Sequence, residues 1–407
     1  MTKRYLENWI SSYMYLVKTT EPARRFHLWV AITIVAAMLG RKCEIEFGPV
    51  ILHPNLYTIL TGPPGIRKGE AIKYGESILE KVVETSGLAP APDIITRQAF
   101  YKQLELAEHT DYDNDGKPFI HSSLLVIAPE LVVFLQEKEI NQRMADLCAL
   151  YDGKAHLLYQ TKTQGETYAV NPSVWLLAAT TPNWIQISMP QLAVGGGMTS
   201  RTIFVVSMAK GAHIPFTRMP KFDPELSSKL IYDLAEIKKM IGRFIFDQEA
   251  IEYYEYWYIE AFPKHGVKDQ RLLSYIERLP SMVIKVAMVI SASKRDTMIV
   301  TRSDLKQSVQ FFSDLHHTMP LAFGGQGLSS LGAQTNMVKE LLRNRIILSE
   351  SELLSTLYMH ITKYDMERIK ETLVGAKFCR IDIKGGEKCW FLSENEIQNT
   401  EKTADEN

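Results

Sequence analysis

The chain has 407 residues, 46% of them hydrophobic, enough for about two to four domains around a sizeable core. A net charge of −1 excludes a global field that would draw nucleic acid or membrane, so any polyanion contact has to come from local patches. Cys43, Cys148, Cys379 and Cys389 form no C-x-x-C pair and match no histidine spacing, which argues against structural zinc or a disulfide framework and for reduced thiols in a cytosol.

Residues 1–47 read as a helical N-terminal segment. The first helix sets Trp9, Ile10, Tyr13, Met14 and Leu16 on one face. The apolar run Trp29–Gly40 ends in Arg41-Lys42 and falls short of the roughly 20 residues that cross a bilayer. It also lies too far in, behind a charged segment, for a signal peptide, so a buried helix is expected and no membrane partner.

Residues 48–215 carry the candidate chemistry. An apolar strand, Leu56–Leu60, meets the turn Gly62-Pro63-Pro64-Gly65, then Ile66, Arg67 and Lys68, and a helical pattern follows through Gly69 and Glu70. Strand, glycine turn and helix in that order converge backbone N–H groups on an anion, with a lysine as point charge. Against the nucleotide-binding spacing G-x-x-x-x-G-K-[ST], Gly62 and Lys68 keep their places. Arg67 stands for the second glycine and Gly69 for the hydroxyl residue. The bland alternative is a strand-to-helix turn with a surface lysine.

The stretch Asp111–Gly116 starts like a calcium loop, but its twelfth position falls on Ser122 where a bidentate glutamate is needed, so an acidic connector with an Asn-Asp-Gly turn is expected. Next comes a buried strand, Leu124–Ala128, ending in Pro129-Glu130. A carboxylate there can orient water against a γ-phosphate; the alternative is that Glu130 caps the following helix. A second buried strand, Ser173–Ala179, ends in Thr180-Thr181-Pro182-Asn183, where Thr180 or Asn183 can sense a phosphate or simply make the turn. Gly195-Gly196-Gly197 then delivers Arg201 before a last strand, Thr202–Val206. That suits an arginine donated to a neighbour's nucleotide, or an ordinary surface arginine.

This ordered set resembles the AAA+ ATPases, and within them the minichromosome-maintenance-like helicases, over roughly residues 50–320. Thr199–Val205 is similar to the family's Ser-Arg-Phe-Asp-Leu-Ile-Phe finger strand, and Leu177–Pro182 to its Ala-Ala-Asn-Pro sensor. Arg278–Phe312 resembles its lid. The family's large N-terminal DNA-binding barrel has no counterpart, and the pattern looks most like the compact relatives of phages, plasmids and genomic islands. The resemblance implies an α/β P-loop core, ATP and Mg²⁺ as cofactors, a homo-oligomeric ring with a hexamer favoured, and single-stranded DNA in its channel. It implies that Arg278 is the lid's sensor arginine, reaching the nucleotide phosphates. The usual magnesium-holding aspartate is replaced by Pro129. Alternating runs at 156–160 and 168–170 predict a β-hairpin. In the resembled helicases such a hairpin enters the channel and a lysine near its tip grips DNA; Lys162 holds that place, unless the hairpin is only surface.

Residues 216–323 are mostly helical by period and form the expected lid. The stripe Tyr253, Trp257, Tyr258 is read as core, and His316-His317 as a solvated helix end. Residues 324–334 read as a Gly/Ser-rich linker, 335–395 as a winged helix, and 396–407 as a disordered charged tail. In the winged helix Ser349 and Glu352 make a capping box, and Lys384-Gly-Gly-Glu387 turns the wing. Arg368, Lys370 and Lys384 are its candidate DNA contacts, diluted by Glu367, Glu371 and Glu387, so protein contact stays open beside DNA. Two functions follow: a ring-forming ATP-dependent DNA helicase or translocase of a mobile element, or an ATP-binding loader or scaffold that hydrolyses weakly or not at all.

Overall fold

A computed structural model describes residues 4–86, 95–113, 115–161, 165–189, 196–215, 223–267, 269–323, 331–358 and 361–393. The chain divides into two compact units, Met1–Ala322 and Phe323–Asn407. The first is α/β, with mixed sheets whose parallel strands are flanked by helices.

Helix α1 (Trp9–Leu16) opens where the Asn8 side chain accepts the Ser11 N–H, and it buries Trp9, Ile10, Tyr13 and Met14 as their spacing requires. Helix α2 (Arg24–Leu39) is buried without a break from Trp29 to Leu39, which makes it a central core helix. The hairpin β1 (Cys43–Phe47) and β2 (Val50–Leu52) follows, then the fully buried β3 (Tyr57–Thr61) and α3 (Lys68–Ser86). Next come α4 (Arg97–Leu106), the hairpin β4 (Glu108–Tyr112) and β5 (Pro118–Ala128), and helices α5 (Leu131–Leu135) and α6 (Ile140–Tyr151). A further hairpin, β6 (His156–Thr161) and β7 (Gly165–Val170), leads to β8 (Pro172–Thr180), α7 (Pro182–Ser188), α8 (Gly197–Arg201) and β9 (Thr202–Val206). The unit is completed by α9 (Pro224–Lys238), β10 (Gly242–Phe246), α10 (Gln248–Tyr256), α11 (Leu273–Lys294), β11 (Ile299–Val300), α12 (Arg302–His316) and α13 (Pro320–Phe323).

The main sheet runs β4-β5-β8-β3-β9, with β5, β8, β3 and β9 parallel and β4 antiparallel at the edge. Burial on both faces explains the unbroken apolar runs of these strands. Their register places Tyr57 opposite both Leu176 and Thr202, and Thr61 opposite both Thr180 and Val206. Edge strand β4 takes in the first two residues of the expected acidic connector, Asp111 and Tyr112, and the Gly116 N–H then bonds back to the Asp113 carbonyl at 3.0 Å; the residues of β4 are mostly exposed, and the strand is tied inward by a polar chain. Ser123 Oγ lies 2.8 Å from His121 Nδ1, His121 Nε2 lies 2.9 Å from Asp111, and Lys42 pairs with Asp111 at 3.0 Å.

A second sheet, β11-β10-β1-β2, differs from the helical expectation for residues 1–47 and 216–323. It joins the two segments directly, with Cys43, Glu44 and Ile45 of β1 paired to Gly242, Arg243 and Phe244 of β10. The short strands are stabilised by pairing across about 200 positions, which no local period reveals. The aromatic stripe divides: Trp257 is buried, whereas Tyr258 is 48% exposed and stacked on Tyr254 and Phe262. His316 is half-buried against Tyr275, and burial pulls its pKa down to about 4.

The second unit holds α14 (Gly332–Arg345), β12 (Ile347–Ser349), α15 (Glu350–Leu357), α16 (Lys363–Gly375), β13 (Cys379–Lys384) and β14 (Glu387–Leu392). Its strands form one antiparallel sheet, β12-β14-β13. Capping boxes at Ser349/Glu352 and Thr362/Asp365 start α15 and α16. Gly385 and Gly386, at φ 63° and 84°, make the tight β13–β14 turn, whose two positive φ angles favour glycine. Helix α14 begins at Gly332, inside the span expected to be linker; residues 324–330 and the expected tail 396–407 lie outside the described residues. All four cysteines are free. Among the described residues no helix is long and apolar enough to cross a membrane.

Candidate functional site

The loop from Gly62 to Arg67 leaves the carboxyl end of β3 and enters α3 at Lys68. Gly62 donates its N–H to the Thr180 carbonyl at 3.4 Å. A β-carbon at Gly62 would sit 2.2 Å from both the Ser207 carbonyl oxygen and Ile66 Cδ1, so the close backbone approach needs glycine. Pro63, Pro64 and Gly65 form the outer turn, with Gly65 at φ 83°, while Ile66 is buried beneath it. Arg67 adopts φ 67°. That is the left-handed region that favours glycine, the residue that the spacing calls for at this place.

Lys68 folds back over the loop, its Nζ donating to the carbonyls of Gly62 at 2.6 Å and Pro63 at 2.8 Å. Burial lowers its pKa. Gly65, Arg67, Lys68, Gly69, Pro129 and Lys210 line a cleft of about 490 Å³. The start of α3 and three cations there can receive a polyanion. Magnesium fits this wall less well, because Gly69 and Pro129 offer no side-chain oxygen. A β-carbon at Gly69 would meet nothing within 4 Å, so a hydroxyl residue has room there. Glu70 accepts the Tyr74 hydroxyl at 2.8 Å and lies 3.5 Å from Arg67. Among the described residues no group of three or more His, Cys, Asp or Glu is arranged to hold a metal ion.

Two residues that the sequence reading passed over brace this loop. Glu21 accepts Arg67 Nε at 2.9 Å, Lys210 Nζ at 3.2 Å and the Ile214 N–H at 3.1 Å. The Ile214 N–H and the Lys210 ammonium, then Arg67, hold the Glu21 carboxyl down at about 2. Glu21 lies 46 positions before Arg67 in an unremarked turn, and no local signal marks it.

Glu130 follows Pro129 beyond the end of β5, exposed, in the N-cap position of α5 but with no side-chain cap bond. Thr180 ends β8, is buried, and is the residue whose carbonyl receives Gly62. Asn183 is exposed in the first turn of α7, which is capped by Thr181 rather than by Asn183. Since β8 lies between β3 and β5, Glu130 and Thr180 stand at the same carboxyl edge of the sheet as the loop.

Arg201 and Arg278 stand elsewhere. Arg201 immediately precedes β9, whose first residue pairs with the first residue of β3. Four residue steps, about 13 Å, separate that level from the end of β3 that bears the loop. Arg201 makes a two-pronged pair with Asp152, Nε to Oδ1 at 3.0 Å and Nη2 to Oδ2. Arg278 Nη1 donates to the same Oδ1 at 3.2 Å. The structure thus brings both arginines to one carboxylate, at the opposite end of β3 from their own chain's loop. Burial would raise the Asp152 pKa, but the bond and charge of Arg201, reinforced by Arg278, bring it below the ordinary value. Beside them Lys285 is buried, with Nζ 2.7 Å from Asn55 Oδ1 and 3.9 Å from the Tyr151 ring centroid.

The β6–β7 hairpin forms as expected, while Lys162, expected at its tip, lies outside the described residues. In the second unit Arg368 and Lys384 are exposed, and Lys370 is ion-paired with Glu367. No protein-family description matches this chain, and no curated protein matches it in sequence.

Proposed function

We propose that the chain is an AAA+ P-loop ATPase related to the minichromosome-maintenance-like helicases, working in the cytoplasm as a ring, with a hexamer favoured, that unwinds or translocates DNA for a mobile element. The observation that carries the reading is the loop at the carboxyl edge of β3: glycine-like backbone at Arg67, Lys68 folded over Gly62 and Pro63, and Glu130 one strand beyond β8 on the same edge. In this reading Lys68 and the loop N–H groups bind ATP, Glu130 orients water, and Thr180 and Asn183 stand at the sensor position. Bound Mg²⁺ would neutralise phosphate charge. Arg201 and Arg278, remote from their own loop, would serve the nucleotide of a neighbouring subunit. Lys162 at the hairpin tip and a winged helix in the second unit, through Arg368, Lys370 and Lys384, would contact DNA.

The test is ATP hydrolysis with and without single-stranded DNA. Lys68→Ala should abolish nucleotide binding, and Glu130→Gln should bind normally yet lose turnover by roughly 10²-fold or more. Unchanged ATP affinity in Lys68→Ala would remove the site assignment. Gly69 and Pro129 favour a second reading, an ATP-binding loader or scaffold with little hydrolysis. It predicts tight ATP binding with no turnover in the parent protein, and a gain of Mg²⁺-dependent turnover in Gly69→Ser, for which the space exists.

A further inference from the structure

Arg201 is the enclosed member of the pair at Asp152. Its third donor, Nη1, is taken by the Gly197 carbonyl at 2.9 Å, and only 10% of its side chain is exposed. An arginine held in that way has all three guanidinium nitrogens engaged within its own subunit and most of its side chain enclosed. Arg278 differs: among the described residues its side chain makes one polar contact, to Asp152, and it is 39% exposed. Among the described residues neither arginine has another carboxylate partner, and Arg41 and Lys285 add positive charge around the same turn. Arg41 Nη2 lies 3.5 Å from the Lys154 carbonyl. Asp152 therefore acts on Arg201, Arg278 and Lys285 together, while Glu44 is the acid that acts on Arg41.

We propose that Asp152 is a holding residue: it keeps Arg201 withdrawn in the free subunit and releases it to the triphosphate of a nucleotide bound by a second copy of this chain. The inference rests on the hydrolysis at subunit boundaries proposed above. A triphosphate carries several charges to the carboxylate's one and accepts the same planar fork, so it competes for Arg201 on equal geometry and better charge. Asp152 is half exposed and Arg201 ends a short helix, so the exchange needs a side-chain swing and no unfolding. The arginine is then delivered only to a loaded neighbour, and the isolated subunit stays inert.

The experiment follows ATP hydrolysis by the full chain against protein concentration, for the parent, Asp152→Asn, Arg201→Ala and the double variant. Asp152→Asn should lower the half-saturating protein concentration by roughly 1.5-fold to fivefold, the range that a half-exposed charged pair is worth, with a plateau no lower than the parent's. In the Arg201→Ala background the same substitution should change nothing, which a merely structural carboxylate would not satisfy. Should Asp152→Asn fold poorly, Asp152→Ser should give the same shift. A higher half-saturating concentration or a lower plateau would overturn the proposal and make Asp152 an aligner of the arginine. An equal shift without Arg201 would overturn it too. A parent protein with no concentration dependence would bring down the subunit-boundary reading itself, whereas a concentration-dependent parent with an unshifted Asp152→Asn overturns the holding role alone.

Discussion

Arg67 carries a β-carbon at φ 67°, where an L residue pays about 1 kcal/mol relative to glycine. Its ion pair with Glu21 is half exposed on the arginine side and returns little of that. Arg67→Gly should therefore be more stable than Arg67→Ala by about 1 kcal/mol in chemical denaturation, and equal stabilities would mean the loop is relaxed at this residue. Lys285 poses a different strain. Burial lowers its pKa to about 7 from 10.5, and its contacts are a carbonyl, an amide oxygen and a ring rather than an acid. Between about 7 and 10.5 the unfolded chain holds this proton more readily than the folded one, so folding stability rises with pH across that window. Below about 7 both states are protonated and the cost of the buried charge is fully present. Lys285→Met should flatten the rise between pH 7 and 9 and be at least as stable as the parent at pH 7. Denaturation midpoints at three pH values decide it: a parallel rise in both proteins would assign the pH dependence to another group.

The β6–β7 hairpin owes its position to α4 and α6. Tyr159 stacks on Tyr101 with centroids 4.0 Å apart, and Arg97 lies over both rings while gripping Asp146 at 2.6 and 2.8 Å. The Tyr168 N–H donates to Glu105 at 3.0 Å. Arg97→Ala leaves the nearly buried Asp146 with Tyr101 but without its arginine partner, and the rings without their cation, at a cost of about 1–3 kcal/mol. Amide exchange should quicken through β6 and β7 more than through β3 or β8; uniform quickening would show that the hairpin is not separately docked. The hairpin itself was legible, because alternating side chains around a glycine leave little choice of structure. So were α1 and α2 from their apolar spacing, the parallel strands from unbroken apolar runs, and α15 from its capping box. Strand β1 alternates too, with Cys43 and Ile45 buried and Glu44 and Glu46 turned outward, but five residues carry too weak a period against two strong preceding helices. At the site, Gly62 and Lys68 were readable from spacing, whereas the glycine-like backbone of Arg67 is hidden by its side chain. Asp152 stands 49 and 126 positions from the arginines it joins, and only the fold makes that meeting visible.

At the scale of the whole molecule, the parallel sheet acts as a spacer. One end of β3 bears the Gly62–Lys68 loop with Glu130 nearby at the same edge, and the other end bears Arg201, Arg278 and Asp152. Within one subunit those two sets lie about 13 Å apart along β3, so under the proposed function a complete hydrolytic centre would need a second copy placed head to tail, the arrangement that closes into a ring. Mixing separates this from a self-sufficient site. Arg201→Ala should bind ATP almost normally and lose turnover by about 10³-fold, and Glu130→Gln should be inactive for want of its acid. Mixed in equal amounts, about one boundary in four pairs an intact acid with an intact arginine, so turnover should recover to roughly a quarter of the parent value if subunits assort at random. The recovery should be lost on dilution, since it depends on association. Activity no greater than the sum of the two variants, together with a monomeric species at saturating ATP, would place the arginines outside the chemistry and leave Asp152 as the carboxylate they share.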